Sequence, residues 1–345
     1  LVGSTTRFLL MGRPIRVSVP RRILSSENPV RQEYLNTIDD MNLGIELFTP
    51  DPPRGHGPLG SFLNEELYNE SAVEHASQLN LDVESIHGTP LLSGCSSSGA
   101  KACADKVLDA QLGFQDQDSA QGTDDGGVSR YSYCDPSVFV FHPPRTYANE
   151  SANLQRRRKQ LVATLGNARH RLESNENLDS VPALTIENVC PRGPFEYLLT
   201  EASDVAKFEK ARADLQREQA EDVDVPSAQF TVDLGHAPNP LAMLDAVGCP
   251  AHVHLHGSIP ITETDRLQSV REKYGIDDDA TLGPKEPPGE IQHLPPQDGQ
   301  HDLDRIVDVL ASSGYSGPVV LELAPPFRTS ETLRKTVDAL RTAGW

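Results

Sequence analysis

Short apolar runs alternate with longer amphipathic stretches along this chain, and several runs end, or nearly end, on a charged or imidazole side chain. Four do so most plainly: Ala183-Leu-Thr-Ile-Glu187, Gln229-Phe-Thr-Val-Asp233, His252-Val-His254 and Pro318-Val-Val-Leu-Glu322. A β-branched run that buries both faces reads as an interior parallel strand. Four further strands are expected at 15–19, 42–48, 81–87 and 137–142. Helical patterns fall between them near 28–40, 63–79, 100–112, 147–173, 200–219, 239–247, 302–313 and 329–342. Within the second of these, Leu67, Val73 and Ala76 keep helical spacing. Strands and helices in this alternation predict an α/β protein, a single closed (β/α)8 TIM barrel.

The alternation never breaks, so one domain over 13–345 is expected, with 1–12 as an N-terminal extension that has no role in the fold. Two stretches depart from regular spacing. Residues 116–130 are polar and rich in Gly and Asp, which predicts a mobile loop. Residues 257–301 are too long for a plain βα connection and carry Pro260, Pro284, Pro287, Pro288, Pro295 and Pro296. On a barrel this insertion lies at the C-terminal face, where it reads as a lid or a wall of a closed substrate pocket.

A charge at the end of a buried strand is costly unless it is paired or bound to a metal. Strand ends of Glu, Asp, His and Glu therefore point to one convergent site at the C-terminal face. Glu187 is followed by Asn188, a pair that can bind a cation and a ligand hydroxyl; the structural alternative is a helix N-cap by Asn188. Asp233-Leu-Gly-His236 sets two ligand types three residues apart on a strand-to-helix turn. His252, His254 and His256 alternate, so all three face one side of their strand. Glu322 sits inside Val319-Val-Leu-Glu-Leu323, where the structural alternative is a buried ion pair. His87 and His142 end two more strands and could equally be satisfied core histidines. Glu46 ends the second strand, and His293 lies in the insertion.

Charge changes the picture little. The formal net charge is −19, lysine is scarce, and acids cluster at Asp124-Asp125, Glu221-Asp222 and Asp277-Asp278-Asp279. Such a surface solubilises, and it fits a halophilic proteome. No Lys/Arg stripe for phosphates is evident, and nucleic acid is not an expected partner. Five cysteines without CxxC spacing suggest reduced thiols and a cytoplasmic setting. No apolar run approaches the ~20 residues of a membrane span.

These motifs together resemble the xylose-isomerase-like barrels, which unite sugar isomerases and epimerases with the endonuclease IV class. The resemblance is carried by Leu43-Gly-Ile-Glu46, Thr185-Ile-Glu-Asn188, Val232-Asp-Leu-Gly-His-Ala237, Val253-His-Leu-His256, His293-Leu-Pro-Pro296 and the run from Ser313 to Leu323. It implies that Glu187, Asp233, His254 and Glu322 bind one divalent metal, and that Glu187 and Glu322 are the acid/base pair of an epimerase. Moving a proton beside a carbonyl needs an electrophile on the oxygen and a base on the carbon, which a cation and two carboxylates supply. The expected activity is metal-dependent isomerisation or epimerisation of a sugar, sugar phosphate or polyol through an enediolate. A carboxylate-rich site with one histidine favours Mn or Mg, with Co or Zn also compatible. Glu46, His87, His142, His236, His256 and His293 are further metal or substrate candidates. The expected partner is a small sugar or polyol, and an oligomer is compatible with the sequence.

The endonuclease branch is the alternative. His87, His142, Glu187, Asp233, His236, His254, His293 and Glu322 match its three-zinc ligand set by type and order. Ile291 stands where that branch has an aspartate, Gly257 stands where both branches place Asp, and its tyrosine after the third-strand histidine is absent. A barrel that keeps the fold and only senses a ligand is the third reading.

Overall fold

The computed structural model describes residues 13–24, 26–48, 70–88, 103–110, 136–143, 145–147, 153–176, 178, 180–190, 195–218, 225–286 and 289–345. Among these the strands are β1 (Ile15–Pro20), β2 (Gly44–Phe48), β3 (Val83–His87), β4 (Val138–Phe141), β5 (Arg145–Tyr147), β6 (Ala183–Glu187), β7 (Phe195–Tyr197), β8 (Gln229–Asp233), β9 (His252–Leu255), β10 (Gly257–Pro260), β11 (Lys285–Glu286), β12 (Glu290–Leu294) and β13 (Val319–Leu321). Eight of them close a parallel barrel in the order β1-β13-β9-β8-β6-β4-β3-β2. Each barrel strand thus pairs with its neighbours in the chain, and β13 closes the ring by pairing with both β9 and β1. The fold is the expected (β/α)8 barrel.

Side chains alternate across each strand. One set, including Val17, Ile45, Phe139, Ile186, Val232, Val253 and Leu321, faces the helices and is almost entirely buried. Burial of each such side chain contributes roughly 1.5–3 kcal/mol. The other set faces the barrel axis and is largely polar: Glu46, Ser85, Thr185, Thr231, His252 and His254, all at 0 % exposure.

Helix starts fall where capping residues stand. Asn28 accepts from the N–H groups of Val30 and Arg31, Asn239 from Ala242, Asp302 from Arg305 and Thr329 from Thr332. These caps explain why the helices Pro29–Asp40, Pro240–Val247, Leu303–Ser312 and Ser330–Thr342 match the expected spans closely. The helix expected from 147 begins instead at Leu154, because Arg145–Tyr147 is taken into an antiparallel pair with β7.

Residues 257–301 are not a loop. β10, β12 and β11 form a three-stranded antiparallel sheet, and Thr264–Tyr274 is a helix ended by Gly275 in the left-handed conformation. Ile259, Val270, Leu282 and Leu294 form a small second core with Leu323, Ala324 and Phe327, just past β13. The insertion is therefore seated on the chain that follows Glu322. Gly257 explains how closely: a Cβ there would sit 2.7 Å from the Pro295 carbonyl oxygen and 2.9 Å from Gly299 Cα.

The extension at 1–12, the first part of the helix expected at 63–79, the ends of the one at 100–112, the loop at 116–130, Pro287, Pro288, Cys95 and Cys134 lie outside the described residues. Among the described residues Cys103, Cys190 and Cys249 form no disulfide. No helix among the described residues is long and apolar enough to cross a membrane.

Candidate metal centre

Glu187 ends β6, Asp233 ends β8, His254 lies in β9, and Glu322 follows β13 directly. Glu322 is thus one residue beyond the strand expected to contain it, though its N–H still donates to the Leu255 carbonyl at 3.2 Å. The structure brings the four together: each offers a ligand atom within 4.8 Å of the others, and all are buried. His254 Nδ1 lies 2.8 Å from Glu187 Oε1 and 3.4 Å from Glu322 Oε1.

Asp233 is the most firmly held. Its Oδ1 accepts from the N–H groups of Gly235 (2.8 Å) and His236 (2.9 Å). Asn188 clamps its backbone, accepting from the Asp233 N–H and donating to the Asp233 carbonyl, both at 2.8 Å. Asn188 thus ties β6 to β8 through its side-chain amide.

The six further candidates gather around this group. His142 Nε2 lies 2.7 Å and His87 Nε2 3.2 Å from Glu187 Oε2, so Glu187 belongs to two clusters at once. Glu46 reaches His87 Nδ1 at 3.4 Å and His254 Nε2 at 3.1 Å, and joins a cluster with His87, His254 and Glu322. On the other side His236, His256 and His293 form a group of imidazoles beside Asp233. His236 Nδ1 is 2.9 Å from Asp233 Oδ2. His256 Nδ1 lies 3.0 Å from the His293 backbone N–H and 3.2 Å from the Gly257 carbonyl oxygen, and its Nε2 lies 3.2 Å from Asp233 Oδ1. Gly235 makes room for it, since a Cβ there would lie 2.1 Å from His256 Cε1. His293 stacks on His256 at 4.1 Å and holds a left-handed φ of 60°, a strain of order 1–3 kcal/mol that the paired β12 maintains.

The electrostatics follow from mutual burial. Burial alone would raise the Glu46 carboxyl, but the charge of His254 and hydrogen bonds from His252, His254 and His87 hold it well below the carboxylate range. Burial opposes ionisation of Glu187 too, and His87, His254 and His142 outweigh it. Asp233 is likewise held low, by His236 and His256 against its burial. In return His87 and His254 are raised well above the usual imidazole range despite burial, chiefly by Glu187 and by Glu46 respectively. His293 is pushed well down by burial and by its neighbours His256 and His236. His252, beneath the site, donates from Nε2 to Glu46 Oε2 at 2.9 Å, and burial lowers it to about 4.

These residues fit a divalent cation. Glu46 Oε1, Glu187 Oε2, Asp233 Oδ2 and Glu322 Oε1 are buried and face imidazole nitrogens, yet none makes an aligned hydrogen bond. Buried carboxylate oxygens left without an aligned hydrogen bond beside imidazole nitrogens are arranged for a shared third party. Hard carboxylate oxygens with imidazole suit Mn, Mg, Co or Zn. Because the ligands must give up protons, uptake would release them.

A cavity of about 260 Å³ opens beside Glu322 and His293. The sequence suggested that 257–301 would wall it, but of that segment only Pro284 and His293 line it among the described residues. Three arginines do: Arg21, Arg22 and Arg328. The sequence reading missed them because they form no stripe. The available signal was position, with Arg21-Arg22 directly at the C-terminal end of β1.

No family model matches the sequence, and no curated protein matches it. Solved structures do. A D-tagatose 3-epimerase-like protein is 15 % identical over 96 % of this chain and 99 % of its own, with a TM-score of 0.50. A xylose isomerase domain protein from Alicyclobacillus acidocaldarius subsp. acidocaldarius is 15 % identical over 96 % and 100 %, with a TM-score of 0.51. A sugar phosphate isomerase/epimerase from Parabacteroides distasonis is 13 % identical over 100 % and 97 %, with a TM-score of 0.50. At such identity the likeness shows the fold alone: the chain folds as a TIM barrel similar to those of these proteins.

Proposed function

We propose that this barrel is a divalent-metal-dependent isomerase or epimerase of a small sugar or polyol, working by proton transfer through an enediolate. The observation that carries the reading is the convergence of Glu187, Asp233, His254 and Glu322 on one buried point. In this reading those four hold the cation, with Mn or Mg favoured. When bound, the cation supplies polarisation of the substrate oxygens next to the exchanging carbon. Glu187 and Glu322 remove and return the proton. His256 and Asn188 hold Asp233 in place, and His236, beside it, is placed to donate to a substrate oxygen. The reaction class is the one named for two of the structural neighbours.

The test is a metal count on protein purified without chelator, then incubation with a panel of ketoses and aldoses in heavy water. One cation per chain and loss of a carbon-bound proton signal are expected, with exchange abolished in Glu322→Gln and milder loss in Glu46→Gln. Absence of bound cation, or a loaded protein that exchanges no substrate proton, sinks the reading.

One observation favours a second reading. The clusters His87/His142/Glu187 and His236/His256/His293 flank the central one, as a multi-metal phosphodiester hydrolase would need. Nicking of an abasic DNA duplex at substoichiometric protein, lost when zinc is removed, would replace the first reading with this one.

A further inference from the structure

His252, His254 and His256 stand at alternate positions along β9 and its end, yet they do not share a role. His254 belongs to the central group of possible ligands and His256 to the outer one. His252, wholly buried, belongs to none of these groups among the described residues. It lies one layer lower in the barrel: its register partner on β8 is Thr231, whereas that of His254 is Asp233. Its Nε2 donates to Glu46 Oε2 at 2.9 Å. Its Nδ1 meets no hydrogen-bond partner among the described residues. An imidazole buried in the floor of a barrel is costly unless it has a polar task. The contact with Glu46 is the task this ring has.

Glu46 in turn faces the His254 ring. His254 Nε2 lies 3.1 Å from Glu46 Oε1 and 3.3 Å from Glu46 Oε2. The other nitrogen, Nδ1, lies 2.8 Å from Glu187 Oε1 and 3.4 Å from Glu322 Oε1, two of the four central residues. The ring is therefore sorted by edge, with Nε2 toward Glu46 and Nδ1 toward the centre. Turning it over would set carbon against both sets of oxygens. An ionised carboxylate only accepts, so the proton on the Glu46 side belongs to the imidazole, and Nδ1 is the nitrogen offered to a cation. His252 adds a packing contact, edge to face on His254 with ring centroids 5.2 Å apart and planes at 78°. An imidazole ligand whose far nitrogen is held by a carboxylate is more basic and better aimed. Here that carboxylate has its own holder beneath it.

We propose that Glu46 and His252 are positioning residues of the metal centre: Glu46 fixes the His254 ring with Nδ1 toward the cation, and His252 fixes Glu46. Both are wholly buried, so they act through His254 and touch no substrate. The proposal rests on the metal-dependent reading of the four central residues, and it is independent of the substrate.

The experiment uses the full chain. Protein labelled with 15N-histidine and loaded with Zn is observed by long-range 1H–15N correlation, and Mn affinity and the absorption of the Co-loaded form are measured across variants. His254 should carry the cation on Nδ1 and the proton on Nε2. His252→Leu should weaken Mn binding about tenfold and shift the Co absorption, and Glu46→Leu should do at least as much. His252→Gln, whose amide nitrogen can donate where Nε2 does, should restore both. Circular dichroism checks that each variant is folded. If His252→Leu does not fold, Glu46→Gln carries the comparison: it leaves one acceptor for two imidazoles, so a smaller loss with the same direction of shift is expected. A cation on Nε2 of His254, or folded variants that match the parent in affinity and spectrum, overturns the proposal. So does a count of two cations per chain that falls to one in Glu46→Gln, because Glu46 would then be a ligand of a second ion. A parent that binds no cation overturns this proposal and the isomerase reading together. The expected shifts in a protein that exchanges no substrate proton would sink the isomerase reading alone. Proton exchange with unmoved affinities would sink only this proposal.

Discussion

The two faces of the barrel sheet are made by the same eight strands but obey different rules. Outward, Val17, Ile45, Phe139, Ile186, Val232, Val253 and Leu321 meet the helices as apolar bulk. Inward, where such barrels usually stack branched apolar side chains, stand Glu46, Ser85, Thr185, Thr231, His252 and His254. Outward contacts are non-directional and can be trimmed one at a time. Inward groups are bound in a network, where removing one charge strands its partners in a medium that solvates them poorly. Stability and chemistry are thus separated by the pleat, at alternate residues of one strand.

Adjacent residues of β6 offer the sharpest way to break that comparison. Glu187→Gln removes the charge of a member of two clusters, taking from His142 its carboxylate partner at 2.7 Å and from His254 the nearest of three. Cation uptake, read by elemental analysis, should vanish, and substrate proton exchange should fall by more than the ~10²–10⁴ of a lost general base. If the variant keeps its metal, the inward face is structural and the comparison fails.

Ile186→Ala, one residue away on the outward face, should cost about 2–5 kcal/mol in urea unfolding while metal stoichiometry stays that of the parent. Loss of metal in a variant that remains folded would show that the two faces are not independent.

Asn188→Ala sits between these extremes. It deletes both bonds that fix the Asp233 backbone, so cation affinity should fall about 10–100-fold with little change in stoichiometry at saturation. An unchanged affinity would mean that the Asp233 turn is rigid by itself.

Asp82, just before β3 and on neither face, calibrates the small end. Burial, Glu84 and Asp39 raise its pKa, so the folded chain holds its proton more tightly than the unfolded chain does. Its contribution is favourable below the ordinary carboxylate range and is lost as pH rises through the raised value. Asp82→Asn should therefore stabilise the protein at neutral pH by a few tenths of a kcal/mol after solvent screening, with the gain disappearing in acid.

Short β-branched apolar runs alternating with amphipathic helical stretches made the eight barrel strands and most of the helices legible in the sequence. Glu187, Asp233, His254 and Glu322 were legible because an ionisable residue at the end of a buried strand has few other uses. Three things were not. Asn188 was read for the groups beside it in sequence, whereas its partner comes from β8. The sheet in 257–301 escaped because β11 is only 2 residues long and Gly and Pro punctuate its neighbours. The arginines escaped because Arg328 reaches the Arg21-Arg22 pair only through closure of the ring between β13 and β1.

The contact between Gly257 and the insertion has a historical consequence. A descendant of this chain can exchange one arginine or one surface acid and keep its architecture. A descendant that gains any side chain at 257 collides with the backbone at Pro295 and Gly299, so the insertion and the His293 it carries must shift away from the mouth of the barrel. Divergence should therefore be gradual at exposed positions of the chain, and abrupt wherever that glycine is lost.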